Sequence, residues 1–214
     1  MCCSRASPGK NEAPISHPST SCAISASDSR AAYHLVQMTV LETSRLRIRL
    51  LEPGDAEFIL RLVNEPSFIA NIGDRGIRSV DQAARYLEEG PLSSYARHGH
   101  GLYLVESRES GESMGMCGLL RRDQFQDIDL GYALLPEFWS RGFACEAASA
   151  VLHFGHTTIG AARILGLVRP DNVPSIRVLE KLGFTFTELR QMGNTDAPPT
   201  AVYAHTSEGR EENI

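Results

Sequence analysis

One stretch, DIDLGYALLPEFWSRGFACEAASAVLHFG at residues 127–155, constrains the fold of this chain more than any other. Asp127 and Asp129 alternate with Ile128 and Leu130, and Tyr132, Ala133, Leu134 and Leu135 then run apolar. Alternation passing into an apolar run is the pattern of a strand with one wet end and one buried end. Pro136 lacks a backbone donor and closes that strand. From Ala144 to His153 the residues suit a buried helix, with Ala147, Ala148, Val151 and Leu152 recurring on one side. Between strand and helix lies Trp139-Ser140-Arg141-Gly142-Phe143. Gly142 lets backbone approach a ligand with no Cβ in the way. The free amides of a helix start carry partial positive charge, and Arg141 adds a full one. The segment reads either as a loop built to hold a phosphate or as an ordinary strand–helix connection whose glycine only relieves the backbone.

The flanking chain places this unit in an α+β order. Residues 46–50 alternate strictly as a half-buried strand, and Pro53-Gly54-Asp55 then turns into a helix with Phe58, Ile59, Leu62 and Val63 as its apolar face. Pro66 is expected to end that helix. Residues 71–78 form a glycine-containing loop, and Ser79 with Gln82 makes a capping box for a second helix that Gly90-Pro91 breaks. Residues 101–107 and 114–120 form an antiparallel hairpin. Residues 162–169 are a buried strand, 174–182 a short helix ending at Gly183, and 184–189 and 201–206 the last strands. A helical crossover makes the strands on either side of the Ala144 helix parallel neighbours.

The chain of 214 residues is long enough for one domain with a sizeable core. That domain is placed at residues 38–207. Residues 1–37, rich in Ser, Ala and Pro, cannot bury enough apolar surface to offset their ordering entropy and are expected to be disordered. Residues 208–214 form a charged, frayed tail. A net charge of -5 argues against a nucleic-acid or polybasic membrane-surface protein, and no apolar run is long enough to span a bilayer. The five cysteines are odd in number and lack metal-ligand spacing, so no metal is expected and a reducing, cytoplasmic setting is favoured.

EFWSRGFACEA at residues 137–147, followed by RPDNVPSIRVLEKLGF at 169–184, resembles the GNAT N-acetyltransferases, in particular the subgroup of ribosomal-protein N-terminal acetyltransferases. LETSRLRIRLLEPGDAE at 41–57 and MGMCGLL at 114–120 fit the same subgroup. Trp139 stands where the wider superfamily has Arg or Gln, and it is the residue this subgroup uses. The resemblance implies a GNAT fold: a mixed, mostly antiparallel sheet flanked by helices, with a central splayed parallel strand pair. It implies transfer of an acetyl group from acetyl-CoA to a primary amine by direct attack.

Carried over residue by residue, the resemblance assigns backbone of Ala133, Leu134 and Leu135 to the pantetheine arm. It assigns the amides of Arg141, Gly142, Phe143, Ala144 and Cys145 to the pyrophosphate, with Asn172 reaching the pantetheine and Ser175 lying near the thioester sulfur. Asp129 takes the place of a glutamate base, with Asp127 on the same face. Two carboxylates that close would raise one another's pKa. The alternative is a solvated acidic face that only attracts a cation. Many members have a thiolate-protonating tyrosine where this chain has Leu179, and Ser175 is the substitute donor, or else only a helix-start cap. Asp74 and Arg75 are read as acceptor-loop charges, and His98 and His100 as solvent-facing.

The expected acceptor is a protein N-terminus or similar amine. The alternatives are a metabolite or antibiotic amine, or a degenerate CoA-binding sensor, and the protein is expected to be a monomer or homodimer. Met38 stands just before the first convincing strand and is the expected natural start. Mass spectrometry of the native N-terminus should find no residue upstream of Met38, and upstream peptides would refute this start.

Overall fold

A computed structural model describes residues 38–192 and 198–207. The expectations for residues 1–37 and 208–214 lie outside the described residues. The chain runs β1 (Thr39–Glu42), β2 (Leu46–Leu50), α1 (Ala56–Val63), α2 (Pro66–Asn71), α3 (Val80–Leu87), α4 (Ser93–His98), β3 (Leu102–Ser107) and β4 (Ser113–Leu120). It continues through β5 (Ile128–Leu134), α5 (Phe143–Thr157), β6 (Arg163–Val168), α6 (Val173–Lys181), β7 (Thr185–Arg190) and β8 (Thr200–Thr206). The strands form one sheet of order β1-β2-β3-β4-β5-β6-β8-β7. Every neighbouring pair is antiparallel except β5 and β6, which are parallel as the helical crossover requires. The mixed α+β fold with a central parallel pair is therefore present.

That parallel pairing is brief. It runs from Ile128 opposite Ile164 to Leu130 opposite Gly166. Beyond it, β5 follows β4 to Leu134 opposite Gly115, while β6 follows β8 to Val168 opposite Ala201. The two strands diverge and leave a gap at their C-terminal ends. Glycines set how closely the layers approach. A Cβ on Gly155 of α5 would lie 2.6 Å from Cδ1 of Ile164, and one on Gly166 would lie 2.7 Å from a methyl of Leu179, which is why α5 and α6 settle directly on β6.

The helix read from Ala144 to His153 runs on to Thr157, and at two prolines the helix boundaries differ from the sequence reading for a backbone reason. Pro66 does not end helical structure. It occupies the first turn of α2, where a missing N–H costs nothing. Gly90-Pro91 does not break the chain after α3 either. A five-residue π turn, Glu88–Leu92, carries it into α4, and the wider hydrogen-bond ring accommodates Pro91. The capping box forms as read: Ser79 Oγ accepts the Gln82 amide, and Gln82 Oε1 accepts the Ser79 amide at 3.1 Å. His100 is buried rather than solvent-facing, with Nδ1 3.1 Å from the Leu119 carbonyl. Among the described residues no helix is long and apolar enough to cross a membrane.

The N-terminal helices are tied to the sheet by a buried ion cluster. Arg49 of β2 donates to both oxygens of Asp55, at 2.8 and 2.9 Å, and to Glu106 of β3 at 2.9 Å. All three side chains are nearly inaccessible. Removing the guanidinium would strand two carboxylates in the core. Arg49→Ala should cost ~3–5 kcal/mol in urea unfolding, whereas Arg47→Ala, which loses only an exposed pair with Glu42, should cost under about 1 kcal/mol.

Candidate active site

The gap between β5 and β6 is a row of backbone groups without a strand partner. Successive residues of a strand turn their N–H and C=O to opposite edges. The Leu135 amide donates to the Met114 carbonyl at 2.9 Å, so Leu135 faces β4, and its own carbonyl accepts the Phe138 amide at 3.0 Å. Ala133 faces β4 by the same alternation. Leu134, with Tyr132, faces the gap. The indole Nε1 of Trp139 donates to the Leu134 carbonyl at 2.7 Å, which leaves the Leu134 amide as the donor directed into the gap. Of Ala133, Leu134 and Leu135, Leu134 alone turns its backbone to the gap: Ala133 faces β4, and Leu135 gives its amide to β4 and its carbonyl to the turn at Phe138.

Beyond β5, a 3-10 turn (Pro136–Phe138) leads into the loop at residues 139–142. Ser140 and Gly142 both take left-handed backbone, with φ of 59° and 81°, and Ser140 is the one non-glycine among the described residues that does so. Left-handed residues at alternate positions curl successive amides towards one point, a concavity suited to an anion. α5 begins immediately after. Across that boundary the Glu146 amide donates to the Gly142 carbonyl at 3.0 Å. The amides of Phe143, Ala144 and Cys145 precede it and lack intrahelical acceptors. All five amides expected to hold a pyrophosphate therefore lie along one short arc.

A brace that the sequence reading missed holds this arc. Glu146, in the first turn of α5, accepts from Thr43 Oγ1 at 2.5 Å, Ser44 Oγ at 3.2 Å and the Arg45 amide at 3.0 Å. Its other oxygen takes the Arg45 side chain at 2.6 Å. Arg45 also donates to the Arg141 carbonyl at 3.0 Å, and its guanidinium sits 4.4 Å from the Phe143 ring centroid. Burial would raise the Glu146 carboxyl, but the hydrogen bonds from Thr43 and Arg45 outweigh it and hold the group below its ordinary range. Local patterns show Thr43-Ser44-Arg45 only as a polar turn, and Glu146 only as an acidic residue in a first helical turn.

On the far side of the gap, α6 begins with Asn172, whose Oδ1 accepts the Ser175 amide at 3.3 Å. Tyr132 reaches across from β5 and donates its hydroxyl to the Ser175 carbonyl at 3.1 Å. Leu179 is buried against Gly166. Ser175, Asn172, Tyr132 and Leu134 therefore converge on the gap.

Asp129 lies on the opposite sheet face from Leu130, in register with Leu165. Its carboxylate is buried and gripped by Arg122, at 2.7 Å to one oxygen and 3.2 Å to the other. Burial pushes its pKa up, and the Arg122 pair acts against the rise without cancelling it. A second carboxylate is not the cause, since Asp127 instead pairs with Arg163 at 3.3 Å. Asp74 is already met by Arg78 and the Gly76 amide, which hold it below the usual carboxylate range. Among the described residues no group of three or more His, Cys, Asp or Glu gathers to hold a metal. A cavity of about 570 Å³ lined by His156, Gly183, His205 and Ser207 opens where β6 begins, away from the gap.

Comparison with known proteins agrees with this geometry. Residues 45–185 match the family model described as Acetyltransferase (GNAT) domain. The chain is 31% identical over 147 residues to the Uncharacterized N-acetyltransferase YoaA of Bacillus subtilis, across 68% of this chain and 82% of that relative. An acetyltransferase from Agrobacterium tumefaciens is similar in structure, with a TM-score of 0.67 at 23% identity, over 93% of this chain and 100% of that one. A ribosomal L7/L12 alpha-N-protein acetyltransferase in complex with coenzyme A gives a TM-score of 0.69 at 16% identity, over 78% of this chain and 97% of that one. At such identities the two structures speak to the fold alone.

The Glu146 brace has a pH signature. A carboxyl whose pKa is lower in the folded than in the unfolded state adds stability above its ordinary value of 4.5 and loses it as pH falls through the folded value. Melting temperature should therefore drop as pH is lowered from 5 towards ~3, and Glu146→Gln should flatten that part of the curve. An unchanged pH profile in the variant would refute the brace.

Proposed function

The chain belongs to the GNAT acetyltransferase family, whose members are acetyl-CoA-dependent, and from that premise we propose that it acetylates a protein N-terminal amine or a similar small α-amine. The observation that carries the reading is the gap itself. An unpaired strand edge presenting the Leu134 amide continues directly into an arc of free amides at Arg141 to Cys145. A pantetheine arm with its pyrophosphate needs that combination: a strand-like hydrogen-bonding edge for the amide-bearing arm and converging donors for the anion. Acetyl-CoA, when bound, supplies an activated thioester. The residues proposed to hold it are Leu134, the amides of Arg141, Gly142, Phe143, Ala144 and Cys145, and Asn172 and Ser175 at the start of α6.

The roles proposed for the side chains follow from what each can donate or accept. The Leu134 amide points where negative charge develops on a carbonyl oxygen, and a fixed backbone donor needs no reorganisation to meet it. Asp129 accepts the amine's proton through water, and burial raises its basicity while Arg122 fixes its orientation. Ser175, whose amide is capped by Asn172, offers its hydroxyl beside the sulfur.

The proposed acceptor class draws support from the same carboxylate. A lysine-type amine with pKa near 10.4 is neutral in about one part in a few thousand at pH 7, and an α-amine near 8 in roughly one part in ten. An aspartate whose oxygens both engage a guanidinium is a restrained base. It suits the amine that needs less help. The finer placement beside the ribosomal-protein N-terminal acetyltransferases draws support from Trp139, whose indole closes the Leu134 carbonyl.

Thiol release from acetyl-CoA should depend on an added acceptor and should be faster with peptide N-termini or small α-amines than with lysine side chains. Asp129→Asn should lower turnover about 100-fold, with coenzyme A still raising the melting temperature as a native-state ligand must. Ser175→Ala should lower it less. Coenzyme A that leaves the melting temperature unchanged, or release confined to lysine side chains, would refute the proposal.

A further inference from the structure

We propose that the Tyr132 hydroxyl is a second hydrogen-bond donor to the departing sulfur, beside Ser175, exchanging its contact with the Ser175 carbonyl for one with the sulfur as the carbon–sulfur bond breaks. This rests on the acetyl-CoA reading of the gap given above. Three elements meet at this phenol. Its backbone belongs to the gap-facing set of β5, its ring stands across from Cys117 of β4, and its hydroxyl reaches the first turn of α6 at 3.1 Å. Cys145 in the first turn of α5 is also close enough to act on its charge. The phenol thus links β5, two residues before Leu134, to the start of α6 on the other side of the splayed end.

The present partner of the phenol is one it can leave. A carbonyl in a helical first turn already serves the helix ladder, and it has two lone pairs. The Tyr132 bond is therefore an addition to a satisfied acceptor, and losing it orphans nothing. The other Ser175 backbone group is fixed independently, since its amide is bonded to Asn172 Oδ1 at 3.3 Å. Ser175 thus stays in place when the phenol turns. Burial holds the Tyr132 pKa up at about 12, with hydrogen bonding to Ser175 acting against the rise. The group keeps its proton throughout the working range, which makes it a constant donor and not a titrating acid.

The balance is simple. The amine nitrogen forms its bond to the carbonyl carbon, the carbon–sulfur bond breaks, and its electron pair stays on sulfur. Tyr132 donates a hydrogen bond to that pair without surrendering its proton. The amine's proton leaves through water to Asp129, and the thiolate is protonated from solvent. A phenol that stabilises sulfur charge must also lower the pKa of the free thiol of coenzyme A in the product complex, and this can be measured without turnover.

Tyr132→Phe keeps the ring and removes the donor. The full chain and this variant would be loaded with coenzyme A, and thiolate absorbance would be titrated against desulfo-coenzyme A as the blank. The wild type should bind the thiol with a pKa below that of free coenzyme A. The variant should raise it towards the free value, with coenzyme A affinity within about two-fold and kcat lowered on the order of 100-fold. A bound-thiol pKa equal in the two proteins, or an affinity loss that accounts for the whole rate loss, would overturn the role of Tyr132 and leave acetyl transfer standing. Failure of the wild type to bind coenzyme A would overturn both.

Discussion

The whole arrangement depends on β5 and β6 each having a better partner than the other. Their parallel pairing ends at Leu130 opposite Gly166, after which β5 follows the antiparallel hairpin to β4, and β6 follows β8. Parallel pairing is slightly the weaker of the two per residue, so the sheet opens at this seam and not elsewhere. An open seam in a sheet normally leaves backbone groups unsatisfied, and buried ones are costly. Here the seam lies at the C-terminal ends of the strands, beside two helix starts that add further free amides. The fold concentrates its unspent hydrogen-bonding capacity in one place, and a ligand with both amide and anionic character is what can use it.

Once the seam is open, its walls must be kept from collapsing or wandering. Arg45 and Glu146 do this for the anion arc, although the pair is only partly buried. Exposed ion pairs are individually weak, so charge alone is a poor account of this brace. Its strength lies in number and direction: one carboxylate collects a backbone amide, two hydroxyls and a guanidinium from a single turn. That fixes where α5 begins, and with it the first free amides. Asn172 does the equivalent for α6 on the opposite wall, by accepting the Ser175 amide.

The buried charges divide by role in a way their burial alone does not reveal. Arg49, Asp55 and Glu106 are all deeply buried, yet each finds its partner within the cluster and none faces the gap. Asp129 is as inaccessible, but its partner Arg122 is more than a third exposed. Asp129 therefore borders solvent through the partly exposed Arg122, whereas the Arg49 cluster is closed on all three members. The sealed cluster serves the joint between helices and sheet, and the Arg122–Asp129 pair is the one proposed to serve chemistry.

Much of this was legible along the chain because the decisive signals are local. The strand–loop–helix at residues 127–155, the capping box at Ser79 and the parallel crossover follow from spacing, from the missing N–H of proline and from the geometry of a helical connection. The same local rules misplaced Pro66 and Gly90-Pro91, where a helix start and a π turn absorbed residues that usually interrupt helices. What no local rule contains is the pairing of Glu146 with Thr43-Ser44-Arg45, the capture of Asp129 by Arg122, or the reach of Tyr132 to Ser175. The sequence by itself determined most of the strands and helices and the strand–loop–helix order around Gly142, because those depend on periodicity and backbone stereochemistry. Only the tertiary structure decided which amides point into the gap and which side chains meet across it, because strand register and the divergence of β5 from β6 are set by partners far away in the chain.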